Sequence, residues 1–81
     1  MDKIDKMKVI REFEASNLGK RIKDARIKDG RSVEELAKQA QISRVAWWHF
    51  ENEKKAIRYE TLKRIETVLQ VNLSEELYDG S

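Results

Sequence analysis

Residues 32–51, SVEELAKQAQISRVAWWHFE, decide how this chain folds. Ser32 has Glu35 three residues on, the spacing of a capping box in which two side chains satisfy orphan amides at a helix start. Leu36, Ala37 and Ala40 follow as a narrow apolar stripe, and Ala37 is small enough for a second helix to cross close by. The run breaks at Gln41-Ile42, where Ile42 reads as a buried plug, and Ser43 starts a second helix as its N-cap. At about 100° per residue, Ala46, Trp47 and Phe50 share one face of that helix. Arg44, Val45, Trp48 and Asn52 share the other, with His49 at the edge. Two short helices joined by a tight turn are the expectation.

The pattern LAxxAxIS over residues 36–43, together with the helix it leads into, resembles the phage repressor and Cro family of helix-turn-helix regulators. LGKRIKDAR (18–26) and YETLKRIETVLQVNL (59–73) resemble that family's first and fourth helices, so the likeness spans roughly residues 18–73. It implies an all-α fold, a compact bundle of about five short helices over residues 17–77, with an arm at 1–16 and a frayed tail at 78–81. A first helix over Leu18–Lys28 has Asn17 as its cap, Gly30 after its end, and Leu18, Ile22 and Ala25 facing inward. The fourth faces Leu62, Ile65 and Leu69 inward, and Asn72 with Glu75 can cap a last turn through Leu77.

The function the resemblance implies is sequence-specific binding of double-stranded DNA by a transcriptional regulator, with helix 43–52 in the major groove. The family reads bases at the positions of Arg44, Val45, Trp48 and His49. An arginine at 44 can take guanine O6 and N7 in bidentate fashion, and Val45 can touch a thymine methyl or simply pack at the helix edge. Trp48 is open between a sugar or thymine-methyl contact and packing on a neighbouring side chain or a protein partner; His49 is open between a polar contact to DNA and plain exposure. Phosphates need only donors and positive charge, which Ser43, Asn52, Lys54, Lys55 and Arg58 can supply. The family also pairs an arginine of its first helix with a glutamate ending the recognition helix, here Arg26 and Glu51. Departures are visible as well. Val33 stands where a glutamine is usual, Gln41, Glu53 and Gln70 where glycine is common, and Ile57 where proline is common.

Composition narrows the alternatives. The chain has 81 residues, no cysteine, one histidine and a formal charge of +2. No disulfide framework, thiolate metal site or cofactor is expected, and no catalytic residue is assigned, because a phosphate loop, a cysteine nucleophile and a second histidine are all missing. The longest apolar run, Val45–Trp48, is far below a membrane span, and the charged start lacks the apolar core of a signal peptide, so a cytoplasmic protein is expected. Residues 17–31 carry six basic and two acidic side chains, and residues 53–71 five and three. These clusters flank the motif on either side.

The first sixteen residues fall outside the resemblance. Met7, Val9 and Phe13 fit an alternating strand, Ile4, Met7, Ile10 and Phe13 a loose helix, and the β-favouring Val9-Ile10 tips the reading towards a strand. A domain this small is marginal alone, so a homodimer is expected, with Met7, Val9 and Phe13 as its contact if segment 8–13 pairs with its copy. The competing function is a protein-interaction module, antitoxin-like or an adaptor, using Val45, Trp48 and the arm.

Overall fold

The computed structural model of the chain describes residues 6–10 and 13–74. Its elements are β1 (Lys6–Ile10), β2 (Phe13–Ser16), α1 (Leu18–Asp29), α2 (Val33–Ala40), α3 (Arg44–Glu51), β3 (Ile57–Arg58) and α4 (Tyr59–Leu69). Four helices stand among the described residues. The further turn expected through Leu77 runs into residues outside them, as does the tail.

Each helix of the central pair starts at its own serine. The Ser32 hydroxyl accepts from the Glu35 amide at 3.1 Å and the Ser43 hydroxyl from the Ala46 amide at 3.0 Å, which removes one orphan donor from each start. At the end of α2, Gln41 turns the chain through a left-handed conformation, so that the Ile42 amide reaches the Ala37 carbonyl at 3.0 Å. Arg64 of α4 donates its Nε to the Ala40 carbonyl at 2.8 Å and closes that end from outside. Leu36, Ala37, Ala40 and Trp47 are buried with Leu18 and Ile22 of α1 and with Leu62 and Ile65 of α4 in one core.

Asn17 does not cap α1 with its side chain. It sits in the left-handed region and makes no capping bond, and the Gly19 amide is met instead by the Glu53 carboxylate at 2.9 Å. That cap comes from the far end of the helix pair because α1 and α3 approach very closely at this point. A Cβ on Gly19 would lie 2.5 Å from the Glu51 carbonyl oxygen and 2.9 Å from that of Phe50, so only glycine fits.

Gln41, Glu53 and Gln70 all have positive φ, so the fold keeps the left-handed turns without the glycines that relax them. Such a conformation costs an L-residue roughly 1–2 kcal/mol, partly offset by the larger entropy glycine loses on folding. Gln41→Gly and Gln70→Gly are each expected to raise stability by about 0.5–1 kcal/mol. Denaturant titration of the two variants checks this, and a lowered midpoint in both would contradict it. Glu53→Gly is not equivalent, because it also removes the cap on α1.

The fold is mostly helical, and the strand read in the N-terminal segment finds its partners within the chain. β1 pairs antiparallel with β2 (Met7 opposite Ala15, Val9 opposite Phe13) and parallel with β3 (Val9 opposite Ile57), in the order β2-β1-β3. The strand alternation sends Met7 and Val9 into the core, 2% and 0% exposed, against the buried Ile57 and Ala15. Their assignment to a contact between two copies is therefore overturned, since covering them inside the subunit is what attaches the sheet to the helices. The Phe13 side chain lies outside the described residues.

After α4 the chain is pinned by Glu66. This buried carboxylate accepts from the Leu73 amide at 2.6 Å and from the Ser74 amide, and Lys63 Nζ lies 2.9 Å from it. Burial pushes its pKa up, but the bonds from Ser74, Lys63 and the two amides together hold it below its ordinary value of 4.5. A depressed carboxylate stabilises the fold above the unfolded pKa and loses that contribution as pH falls through the folded one. Unfolding midpoints measured downward from about pH 4.5 should fall in the parent and fall less in Glu66→Gln, which has no charge to lose. Equal slopes in the two proteins would contradict the assignment.

Candidate nucleic-acid interface

The geometry of α3 is set from its buried side. Trp47 is fully buried, and its indole Nε1 donates to Glu51 Oε2 at 2.7 Å, one helical turn on. The same carboxylate takes Arg26 Nε at 2.6 Å and the second guanidinium nitrogen on Oε1 at 3.0 Å. Three donors thus converge on Glu51, whose side chain is 2% exposed. The bond to Glu51 raises the Arg26 pKa above its ordinary value, with desolvation acting against it, so the guanidinium keeps its charge. Two parallel N–H bonds fix both the distance and the rotation of α3 relative to α1.

With the inner face held, the remaining residues point outward. Arg44 and Val45 are exposed in the first turn, Trp48 is 41% exposed in the second, and His49 is half-buried at the edge. The Trp48 ring is not free-standing. Its centroid lies 5.2 Å from the Arg26 guanidinium carbon, within cation–π range, so the arginine touches Glu51 and Trp48 together.

Ser43 is exposed at the start of α3 but engaged in capping it. Asn52 follows the helix and gives its side-chain amide to the Trp48 carbonyl at 2.8 Å, with its second N–H making no bond among the described residues. Lys54 and Lys55 lie in the exposed turn beyond. Arg58, expected in that same turn, belongs instead to β3 and starts α4. Arg44, Lys54, Lys55 and Arg58 make no ion pair among the described residues. Val33 opens α2 as a buried residue, so the usual glutamine position contributes packing here.

Several participants were not singled out from the sequence. A hollow between the start of α1 and the end of α3 brings Lys20 and Lys23 beside Asn52 and Glu53. Arg31 forks onto Asp29 at 2.7 and 2.9 Å and also donates to the Val68 carbonyl at 2.8 Å, bracing the turn before α2 against α4. Trp47 and Glu51 stand four apart on one helix, a spacing that could have flagged their bond. Nothing local flags Glu53 as the cap of a helix that starts more than thirty residues earlier. Among the described residues no group of side chains could hold a metal ion, and no helix is long and apolar enough to cross a membrane.

Residues 17–77 match the family described as Helix-turn-helix domain. Among solved structures the chain is similar to a mutant of the restriction-modification controller protein C.Esp1396I, with a TM-score of 0.66 and 22% sequence identity over 80% of this chain and 94% of that one. No curated protein sequence is significantly similar to it.

Proposed function

The chain belongs to the helix-turn-helix domain family, and from that premise we propose that it is a sequence-specific DNA-binding transcriptional regulator that sets α3 into the major groove of double-stranded DNA. The observation that carries the reading is the outward face of α3. It is held rigid from behind by the Arg26–Glu51–Trp47 cluster and carries Arg44 and Val45 exposed in its first turn. A helix fits the major groove with its N-terminal residues at base edges, which is where Arg44 stands. Lys54, Lys55 and Asn52 follow the helix at its other end, and Ser43 with Arg58 completes the set assigned to phosphates. The regulatory part of the reading is supported by the likeness to a protein described as a controller.

One recognition helix seldom suffices, so the active species is proposed to be a homodimer with two copies of α3 about 34 Å apart in successive major grooves. Its contact uses surfaces other than Met7 and Val9. Selection of bound sequences from a random DNA pool tests the reading, followed by binding at increasing salt. A steep loss of affinity with salt is the result expected of phosphate contacts. Val45 and Trp48, both exposed, also favour a protein contact by this face, and salt-insensitive capture of a protein with no selected duplex would decide for it.

Within the selected site, Arg44→Ala is expected to relax preference at one base pair per half-site by about 1–3 kcal/mol. Lys54→Ala and Lys55→Ala should weaken every sequence alike and flatten the salt slope. Equal losses at all positions for Arg44→Ala would reduce it to a phosphate contact.

A further inference from the structure

Trp48 and Val45 stand one turn apart on the outward face of α3, 41% and 58% exposed, and place apolar surface at neighbouring positions of a face that also carries the charged Arg44 and the polar Asn52. Apolar surface on a face read as a binding face suits a ligand surface of matching chemistry. Its posture is already fixed. One side of the indole is covered by the Arg26 guanidinium at 5.2 Å, and that guanidinium is itself locked by two bonds of 2.6 and 3.0 Å to the buried Glu51. Rotamer freedom that a surface tryptophan would lose on binding is largely lost beforehand.

We propose that Val45 and Trp48 together read the C5-methyl group of a pyrimidine, with Arg26 as the positioning residue that sets the indole from behind. The inference rests on the reading that α3 occupies the major groove. Of the groups displayed on that groove's floor, the hydrogen-bonding edges of all four bases are polar, and the thymine methyl is the apolar one. An apolar strip laid against polar edges would desolvate them without repayment, whereas a methyl opposite it removes apolar area on both sides. The ligand class is therefore a duplex with thymine, or another 5-methylpyrimidine, at the step facing Trp48. Arg44 stays available for an adjacent purine.

The test uses the full chain and a duplex obtained by selection. Each thymine of a half-site is replaced in turn by deoxyuridine, which deletes the methyl and leaves every hydrogen-bonding group in place. Affinity should fall about fourfold at one or two of these positions, the loss expected for one buried methyl. The same replacement should be neutral in Trp48→Ala, an exposed substitution that leaves the core untouched. Arg26→Lys keeps the charge and loses the planar stack, and should bring the thymine-to-uracil ratio towards one. Deoxyuridine tolerated everywhere by the parent, with selection of a defined site intact, overturns the methyl reading and leaves DNA recognition standing. A penalty that persists unchanged in Trp48→Ala overturns it too, and a persistent ratio in Arg26→Lys overturns the positioning role. If no duplex is selected at all, the proposal and the reading beneath it fail together.

Discussion

Glu51→Ala is expected to lower the stability of this domain by about 3–5 kcal/mol, the loss seen when one partner of a buried charged pair is removed. Two separate costs add. The Trp47 indole N–H, fully enclosed, loses its acceptor, and a buried unsatisfied donor costs about 1–3 kcal/mol. Arg26, with 18% of its side chain exposed, loses the carboxylate that compensates its desolvation. Arg26→Ala is the converse experiment and leaves a carboxylate that is 2% exposed with a single donor. In a domain of this size 1 kcal/mol shifts the melting temperature by about 4–8 °C, so either variant should melt roughly 12–40 °C lower or fail to fold at working temperature. Glu51→Gln keeps an acceptor for Trp47 and should sit between parent and alanine variant. Unchanged melting in both alanine variants would remove the pair as the element that sets the angle of α3.

Deleting residues 1–10 is the second large perturbation. It strips Met7 and Val9 out of the core and uncovers Ile57 and Ala15, which face them across the sheet. Each of the two lost side chains contributes about 1.5–3 kcal/mol of burial, before any loss from the strand pairing itself. The truncated chain is expected to be several kcal/mol less stable, with reduced helix content by circular dichroism at ambient temperature. A truncated protein that keeps a cooperative, unshifted melt would mean that the sheet is an appendage. A smaller probe of the same kind is Val9→Ala, which should cost a fraction of the deletion.

These two perturbations also mark where the sequence was legible. The helix pair was readable because everything that makes it is local: Ser32 and Ser43 cap within three residues, and the apolar stripe repeats at helical spacing. Arg26 and Glu51 are far apart in the chain, and their bond could be expected only through the resemblance. The strand character of residues 6–10 was present in the alternation of Met7 and Val9. Its partners were not, because the pairing with Ile57 depends on where the turn after α3 delivers the chain. Within the interface the outward positions of Arg44, Val45 and Trp48 follow from helix periodicity alone. The use of Arg26 as the backing for Trp48 does not, since it is a contact between two helices whose crossing no local pattern encodes. Glu53 was likewise opaque, a surface acid in the sequence and the cap of α1 in the fold.

The parallel pairing of β1 with β3 has a consequence for the order in which the molecule assembles. Val9 and Ile57 are almost fifty residues apart, whereas β1 and β2 are neighbours in the chain, and so are α2 and α3. Closing a long loop must be compensated by contacts that form only afterwards, so local pieces gain structure first and long-range pairings slow the whole process. The β1–β2 ladder and the helix pair are the early units, and the middle strand waits with one edge unpaired until Ile57 and Arg58 arrive beside it. During synthesis that wait lasts until Arg58 has been made. The exposed edge in the interval is the point at which a chaperone, or another nascent copy, would find this protein most receptive.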